Sequence, residues 1–165
     1  MADKELVKEI GKRVLRATIV GVITYITAYV IPMMLLQPGF GFMERYVEIE
    51  GPDPQALLVA FASIAVFFAV AVEVTRGTIL QHVFSIGRDV ALLFYFIYAT
   101  SGGVMKMMIR VPEGLDIPIP ISISLTLDIS LLLAIIIGID LLGMAKDVLG
   151  AIYFLSEKAE REEIR

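Results

Sequence analysis

Residues 56–74 read ALLVAFASIAVFFAVAVEV, a stretch whose only charge, Glu73, lies next to its end. A helix needs about 20 apolar residues to cross the roughly 30 Å hydrocarbon core of a bilayer. Hydrocarbon offers the backbone no hydrogen-bond partners, so a stretch of this length that enters a membrane must be helical. Residues 56–74 therefore predict one membrane-spanning helix.

Three further apolar stretches resemble this one, at residues 14–36, 90–109 and 119–139. The hydrophobic fraction of the chain is 58% and its mean hydropathy is +0.82. Soluble domains contain only about 45–50% apolar residues. The 165 residues leave no room for a soluble catalytic domain beside four spans. We expect one membrane domain, 1–165, with an all-α fold of four transmembrane helices in a bundle. Spans two and three form a hairpin, and helix four extends into the cytoplasm.

The positions of the basic residues predict the orientation of the chain. Eleven of the 14 Lys and Arg residues fall on one side of these spans, and Arg45, Lys106 and Arg110 fall on the other. Because Lys and Arg accumulate in cytoplasmic segments, both ends are predicted to be inside, in a multi-pass protein of the cell membrane. Residues 3–16, DKELVKEIGKRVLR, predict an amphipathic helix on the cytoplasmic surface. We favour a topology anchor for this helix over a lipid or partner sensor.

Two charged residues are predicted to lie in the outer half of the membrane. Asp128 falls within the fourth span, and Lys106 falls near the outer end of the third. A carboxylate at mid-bilayer costs about 2.5–3.5 kcal/mol on insertion scales, so it should face the bundle interior and have a partner. We expect Asp128 and Lys106 to pair or to share a polar pocket. The pair either stabilises the helix packing or provides a cation-binding or proton-relay carboxylate.

A second group of charges is predicted at the cytoplasmic ends of the spans. Its members are Arg16, Glu73, Arg76, Arg88, Asp89, Asp140 and Lys146. We expect Glu73 or Asp140 to pair with Arg88. One interpretation is a ring of interfacial ion pairs that fixes how the helices dock. The other is a polar vestibule or a phosphate-binding pocket for lipid headgroups.

The residues required for common catalytic sites are scarce. The chain has no cysteine, which excludes disulfides and thiolate metal sites. His82 is the only histidine, and one His with scattered carboxylates is a weak metal signal. No nucleophile elbow or glycine-rich phosphate loop is visible. We therefore predict a non-enzymatic protein without cofactor, metal or nucleic-acid partner. The lack of Asn and Cys, with a tail rich in Glu, Lys and Arg, fits a thermophilic prokaryote.

The block at residues 70–93, VAVEVTRGTILQHVFSIGRDVALL, has a distinctive layout. An acidic residue closes span two, a short turn with Gly and His follows, and an Arg begins span three. This layout resembles the PsiE-like proteins, small four-span prokaryotic membrane proteins named for phosphate-starvation induction. The resemblance implies a cytoplasmic-membrane protein without assigned chemistry. It also implies that Glu73 and Arg88 form an interhelical pair.

Two non-enzymatic classes of function are compatible with these features. An enzyme that acts on lipid substrates is a third class, with no nucleophile or metal cluster to support it. The first is a small oligomeric ion channel or carrier that uses an intramembrane carboxylate. The second is a structural or accessory subunit that binds another membrane protein. The expected partners are membrane lipids and either a second copy of the chain or another membrane protein.

Overall fold

The computed structural model describes residues 2–36, 47–110 and 122–163, with side chains described for residues 8–36, 51–108 and 123–162. The first helix, α1 (Ala2–Tyr25), continues through one π-helical turn, Ile26–Val30, and through helical residues 31–36. The remaining elements are β1 (Val47–Glu50), α2 (Pro54–Val74), α3 (Ile79–Ala99), β2 (Val104–Arg110), β3 (Ser122–Asp128) and α4 (Ser130–Glu163). A short 3-10 turn, Ser101–Gly103, joins α3 to β2.

Three of the described helical segments are long and apolar enough to cross a membrane. They are Lys8–Leu36, Pro54–Val74 and Ile79–Ala99. The first two confirm the apolar helices predicted at 14–36 and 56–74. The predicted hairpin of the second and third helices is also present, since only residues 75–78 separate α2 from α3. Asp53 caps α2 by accepting a 3.0 Å hydrogen bond from the Gln55 backbone N–H.

The third apolar helix lies earlier in the chain than the predicted span at 90–109. It begins at Ile79 and ends at Ala99, and residues 104–110 form a strand instead. The chain leaves the helix because three successive residues have positive φ: Ser101 at 49°, Gly102 at 74° and Gly103 at 99°. Glycine reaches this region without a steric penalty, so the Gly-Gly pair ends the helix.

The fourth predicted span, 119–139, is also wrong. Residues 119–121 lie outside the described residues, Ser122–Asp128 is a strand, and α4 begins only at Ser130. The sequence SISLTLD alternates polar and apolar residues, which suits the two-residue period of a strand with two different faces. Helix α4 is not among the three apolar helices above, and it contains Asp140, Lys146 and Asp147.

The three strands form an antiparallel sheet in the order β1-β2-β3. In the β2–β3 register, Val104 lies opposite Asp128 and Lys106 lies opposite Thr126. Side chains alternate between the two faces of a sheet. One face therefore carries Lys106, Ser124, Thr126 and Asp128 together with Val104 and Met108, and the other carries Met105, Met107, Ile123, Leu125 and Leu127. The fold is thus mostly helical, as predicted, and also contains this small three-stranded sheet.

The helices of the predicted bundle lie in a row in chain order. Helix α1 packs on α2, α2 on α3 and α3 on α4, while α1 makes no comparable contact with α3 or α4. Among the described side chains, the buried apolar residues are Ala17, Ala28, Ala62 and Leu133. The row leaves many of its large apolar side chains exposed, as a lipid environment permits.

The two ends of the row differ in character. The strands lie where α3 ends and α4 begins, and we call this the sheet end. The opposite end carries Lys12, Arg13, Arg16 and Arg76, and we call it the basic end.

A close backbone contact joins α4 to the sheet end of α3. The Ile129 N–H donates a 2.8 Å hydrogen bond to the Gly103 carbonyl oxygen. A Cβ atom on Gly103 would lie only 2.8 Å from the Ser130 Cα atom. This position therefore requires glycine both for its φ of 99° and for lack of space.

Replacing Gly103 by Ala should lower the free energy of unfolding by about 2 kcal/mol, since it adds overpacking to backbone strain. Gly102→Ala is the matched control, because Gly102 also has positive φ but a Cβ atom there would meet nothing within 4 Å. Thermal unfolding in detergent micelles compares the two variants. Equal destabilisation would contradict the close contact between Gly103 and Ser130.

Candidate functional site

A line of polar side chains runs along the antiparallel interface between α3 and α4. On both helices the residues that face the partner follow an alternating spacing of three and four, which keeps them on one side of a helix. They are His82, Ser85 and Asp89 on α3, and Asp140, Gly143, Asp147, Gly150 and Phe154 on α4. We call His82, Ser85, Asp89, Asp140 and Asp147 the polar seam.

Two glycines of α4 provide the room for this seam. A Cβ atom on Gly143 would lie 3.2 Å from the Asp89 Oδ2 atom. A Cβ atom on Gly150 would lie 2.9 Å from the His82 Cε1 atom. Between these contacts, the Ser85 hydroxyl donates a hydrogen bond to the Asp147 Oδ2 atom. Small residues let the helix backbones approach closely, so polar side chains of α3 fit against the α4 backbone.

Asp89 is the buried carboxylate of the seam, with 6% of its surface exposed. Its Oδ1 atom accepts from the neighbouring Arg88, whose Nε and Nη2 atoms lie 2.9 and 2.8 Å away. Charge-assisted hydrogen bonds of this kind are stronger than neutral ones. Arg88 thus compensates Asp89, and the predicted pair between Arg88 and Glu73 is wrong.

Asp140 shares this electrostatic environment but has fewer contacts. Its carboxylate is repelled by the charge of Asp89 and attracted by Arg88. Its Oδ2 atom is buried and has no hydrogen-bond partner among the described residues. A buried polar atom without a partner costs about 1–3 kcal/mol. The guanidinium of Arg88 therefore faces the carboxylates of both Asp89 and Asp140. The Oδ2 atom of Asp140 is free to bind a proton or a cation.

The charged pair of α3 lies near the middle of a helix that is apolar enough to span a membrane. Arg88 follows Ile79 by nine residues, so it lies about 14 Å along the helix at 1.5 Å per residue. The sequence prediction placed Arg88 and Asp89 at the cytoplasmic interface, where span three was expected to begin. The earlier start of α3 moves them to its centre.

Helix α2 runs beside α3 over the whole of this depth. The Tyr95 hydroxyl donates a 3.1 Å hydrogen bond to the Leu57 carbonyl oxygen near the sheet end. The Phe67 and Phe84 rings meet with centroids 6.5 Å apart nearer the basic end. Both α3 and its charged pair are therefore flanked by an apolar helix of matching length.

The seam is polar only in the half that leads to the basic end. Beyond Asp140 toward the sheet end, the same face of α4 continues with Ile136 and Leu133, and Leu133 is 6% exposed. From Asp89 toward the basic end, the seam continues through Ser85 to His82, whose ring lies 6.3 Å from that of Phe154. The arrangement is a polar path between α3 and α4 that ends midway along the length of α3.

Asp128 and Lys106 lie far from the positions expected for intramembrane charges. Asp128 is the last residue of β3, is exposed, and accepts a 2.9 Å hydrogen bond from the Ser130 N–H through Oδ1. Donation from the Ser130 side chain and backbone holds the pKa of Asp128 below its usual value. Lys106 lies opposite Thr126 in the sheet register, and the described side chains show no ion pair between Lys106 and Asp128. Their expected pairing inside a helical bundle is wrong.

Glu73 and Arg16 form a separate group at the basic end. The Glu73 Oε1 atom lies 3.7 Å from the Arg16 Nε atom and 3.4 Å from the Arg76 Nη1 atom. The Glu73 side chain is only 14% exposed, whereas both arginines are about 60% exposed. The charge group predicted as one cytoplasmic cluster is therefore two, separated by half the length of α3.

Sequence reasoning missed Ser85, Asp147 and the two glycines of the seam. It also placed His82 in a wet turn, whereas its ring packs against Gly150 and Phe154. The three-and-four spacing that these residues share on α3 and on α4 is the signal that could have identified them. That spacing went unused because the spans were assigned to the wrong residues.

Comparison of the chain with family models, with curated proteins and with solved structures finds no match. The resemblance to PsiE-like proteins stays a prediction.

Replacing Arg88 by Gln should lower the free energy of unfolding by about 3 kcal/mol, because it leaves the buried Asp89 carboxylate uncompensated. This value is at the lower end of the range for breaking a buried ion pair, because the Arg88 side chain is 42% exposed. The double variant Arg88→Gln/Asp89→Asn should recover most of the loss. Chemical unfolding of both variants in micelles measures the difference. A double variant as unstable as the single one would contradict the role of Arg88 as counter-ion.

Replacing Gly143 or Gly150 by Ala should separate α3 from α4 and lower the melting temperature. Overpacking of this kind costs about 1–3 kcal/mol. Gly138→Ala is the matched control on the same helix, since a Cβ atom there meets nothing within 4 Å. That control should be neutral or stabilising, because Ala favours a helix over Gly by about 1 kcal/mol. Three equal shifts would rule out the close α3–α4 contact.

Proposed function

We propose that this protein is a multi-pass protein of the cytoplasmic membrane in which α4 provides the fourth span. Support comes from the side-by-side register of α3 and α4. Gly103 meets Ser130, Asp89 meets Gly143, and His82 meets Gly150. Residues 130–150 of α4 therefore run beside the full length of α3. If α3 crosses the bilayer, this part of α4 crosses with it, and the basic end faces the cytoplasm by its excess of Lys and Arg.

The function that the geometry supports best is the movement of protons or monovalent cations through the polar seam, by a small non-enzymatic channel or carrier. The observation that carries this proposal is the buried, unpartnered Oδ2 atom of Asp140 next to the buried Asp89. Ionisable residues inside a membrane are costly and commonly mark ion pathways or proton relays. In this proposal the carboxylates that bind the proton or cation are Asp140 and Asp89, and not Asp128.

The charges of this site favour a cation over an anion. Asp89, Asp140 and Arg88 together sum to one negative charge when both carboxylates are ionised. A proton or a small cation on Asp140 neutralises that charge, and an anion would add to it. Ser85, Asp147 and His82 offer further hydrogen-bonding groups on the way to the basic end.

The distances along the seam require water as an intermediary. Asp140 and Asp147 are two helical turns apart, about 10 Å at 1.5 Å per residue. A proton cannot cross that distance in one hydrogen-bonded step, since such steps join atoms about 2.7 Å apart. We infer that the basic-end half of the seam is hydrated when the site is in use.

Proton flux into liposomes tests the proposal. The purified protein is reconstituted, a potassium diffusion potential is applied, and an internal pH dye reports proton entry. We expect flux from the unaltered protein, and Asp140→Asn should reduce it to the level of protein-free liposomes. The isosteric amide removes the titratable site and keeps the volume of the side chain.

Two controls accompany this measurement. Glu160→Gln changes an exposed carboxylate on the same helix, on the side away from the seam, and should keep full flux. Size-exclusion chromatography of Asp140→Asn should show the same assembly as the unaltered protein. Unchanged flux in Asp140→Asn, or no flux of protons, Na⁺ or K⁺ from the unaltered protein, would contradict the proposal.

A second candidate function is that of an accessory subunit, and the exposure of Arg88 favours it. The Arg88 side chain is 42% exposed at mid-helix, where hydrocarbon would be a costly surrounding. A neighbouring membrane protein that offers an acidic or hydroxyl side chain there would remove the cost. Absence of flux, with a protein that co-purifies with the unaltered chain but not with Arg88→Gln, is the result expected for this function.

A further inference from the structure

The crevice between α1 and α2 has a basic cavity at its basic end. The cavity has a volume of about 280 Å³ and is lined by Lys12, Arg13, Arg16, Arg76, Glu9 and Glu73. It lies where two apolar helices of membrane-spanning length end. In a membrane this is the depth of the lipid headgroups.

The charges that line this cavity favour an anion. Four cationic side chains face two carboxylates, which leaves two positive charges in excess. Arg13 is paired with Glu9 at 3.0 Å, and Arg76 and Arg16 share Glu73 at 3.4 and 3.7 Å. Lys12 has no ion pair among the described residues. The guanidinium groups of Arg16 and Arg76 are mostly exposed and retain N–H donors for a phosphate.

An apolar groove continues from the cavity along the same crevice. Its volume is about 450 Å³, and its walls include Val14, Ala17, Gly21, Val70 and Val74. The two cavities adjoin, because Arg13 is followed by Val14, Arg16 by Ala17 and Glu73 by Val74. A Cβ atom on Gly21 would lie 2.8 Å from the Val70 Cγ2 atom, so the glycine is needed for α1 to approach α2.

The groove is long enough for an acyl chain. A further cavity of about 470 Å³ begins at Tyr25 and Val66, which also line the first groove, and reaches Val59. From Val74 to Val59 the helix rises about 22 Å at 1.5 Å per residue. One leaflet of the hydrocarbon core is about 15 Å thick, half of the bilayer value.

We propose that the α1–α2 crevice binds one anionic phospholipid. Its phosphate lies among Lys12, Arg13, Arg16 and Arg76, and one acyl chain lies in the groove beside Gly21. Charge complementarity selects the headgroup, and continuity of the groove with the basic cavity selects a lipid over a soluble anion. This site is separate from the polar seam, which lies between α3 and α4, and it does not depend on ion movement.

Native mass spectrometry from detergent micelles tests this site. The protein is mixed with equal amounts of phosphatidylglycerol and phosphatidylcholine, whose acyl chains are identical. We expect one phosphatidylglycerol per chain to be retained in preference to phosphatidylcholine. Each basic residue near a membrane surface strengthens binding to an anionic lipid about fivefold. Lys12→Gln should therefore weaken the preference about fivefold, and Lys12→Gln/Arg16→Gln should weaken it about 25-fold. Arg161→Gln removes an exposed cation elsewhere and should change nothing.

A second arm distinguishes a lipid from free phosphate. Val22 lines the groove and is 53% exposed, so Val22→Trp fills the groove from an exposed position. This variant should lose phosphatidylglycerol while its basic cavity is unaltered. Competition by inorganic phosphate should be weak in the unaltered protein. Equal retention of the two lipids, no effect of Lys12→Gln/Arg16→Gln, or full phosphatidylglycerol binding by Val22→Trp would overturn the proposal.

Discussion

The close packing of α4 on α3 determines where the interior charges of this protein lie. Gly143 and Gly150 of α4 accommodate the Asp89 and His82 side chains of α3, and Gly103, in the turn after α3, contacts Ser130. Together these contacts define one antiparallel register. Because of that register, Asp89 and Asp140 face each other at the middle of α3, and Ser85 reaches Asp147. A bulkier residue at any of these glycines would push the helices apart and expose buried carboxylates that have few other partners.

Pairs of a carboxylate and an arginine have different roles at the basic end and at the middle of the helices. Glu73 lies at the end of α2, where the two arginines that neutralise it are mostly exposed. Exposed pairs contribute little to stability, and their cations remain available to other anions. Asp89 is buried at mid-helix, and the adjacent Arg88 is its ion-pair partner among the described side chains. Breaking the Arg88–Asp89 pair leaves a charge without solvent, so this pair contributes more to the free energy of unfolding. The exposed group around Glu73 is the better place for binding an anionic ligand.

Hydropathy and charge predicted the helices at 14–36 and 56–74 and the hairpin that follows, because long apolar stretches specify helices strongly. They failed at residues 100–109 and 122–128, where apolar content alone was taken as evidence for helix. The alternation in SISLTLD and the Gly102-Gly103 pair were readable signals of a strand and a helix end. The placement of Asp140 within the electrostatic influence of Asp89 depends on an offset between helices, and that offset is set by tertiary contacts that no single stretch of sequence encodes.

The polar seam extends along only half of the α3–α4 interface, and the open row of helices affects how ions could pass the other half. From Asp140 to the sheet end, the α4 face is closed by Ile136 and the buried Leu133. In a single static chain, the proposed cation site at the middle of α3 therefore has no exit toward the sheet end. Either α4 shifts against α3, which the tight contact at Gly103 opposes, or another chain supplies polar groups beside the exposed part of Arg88. Few described apolar side chains are buried, so the row has ample surface for a second copy. The second route requires no rupture of the α3–α4 contact, and we favour an oligomer as the conducting form.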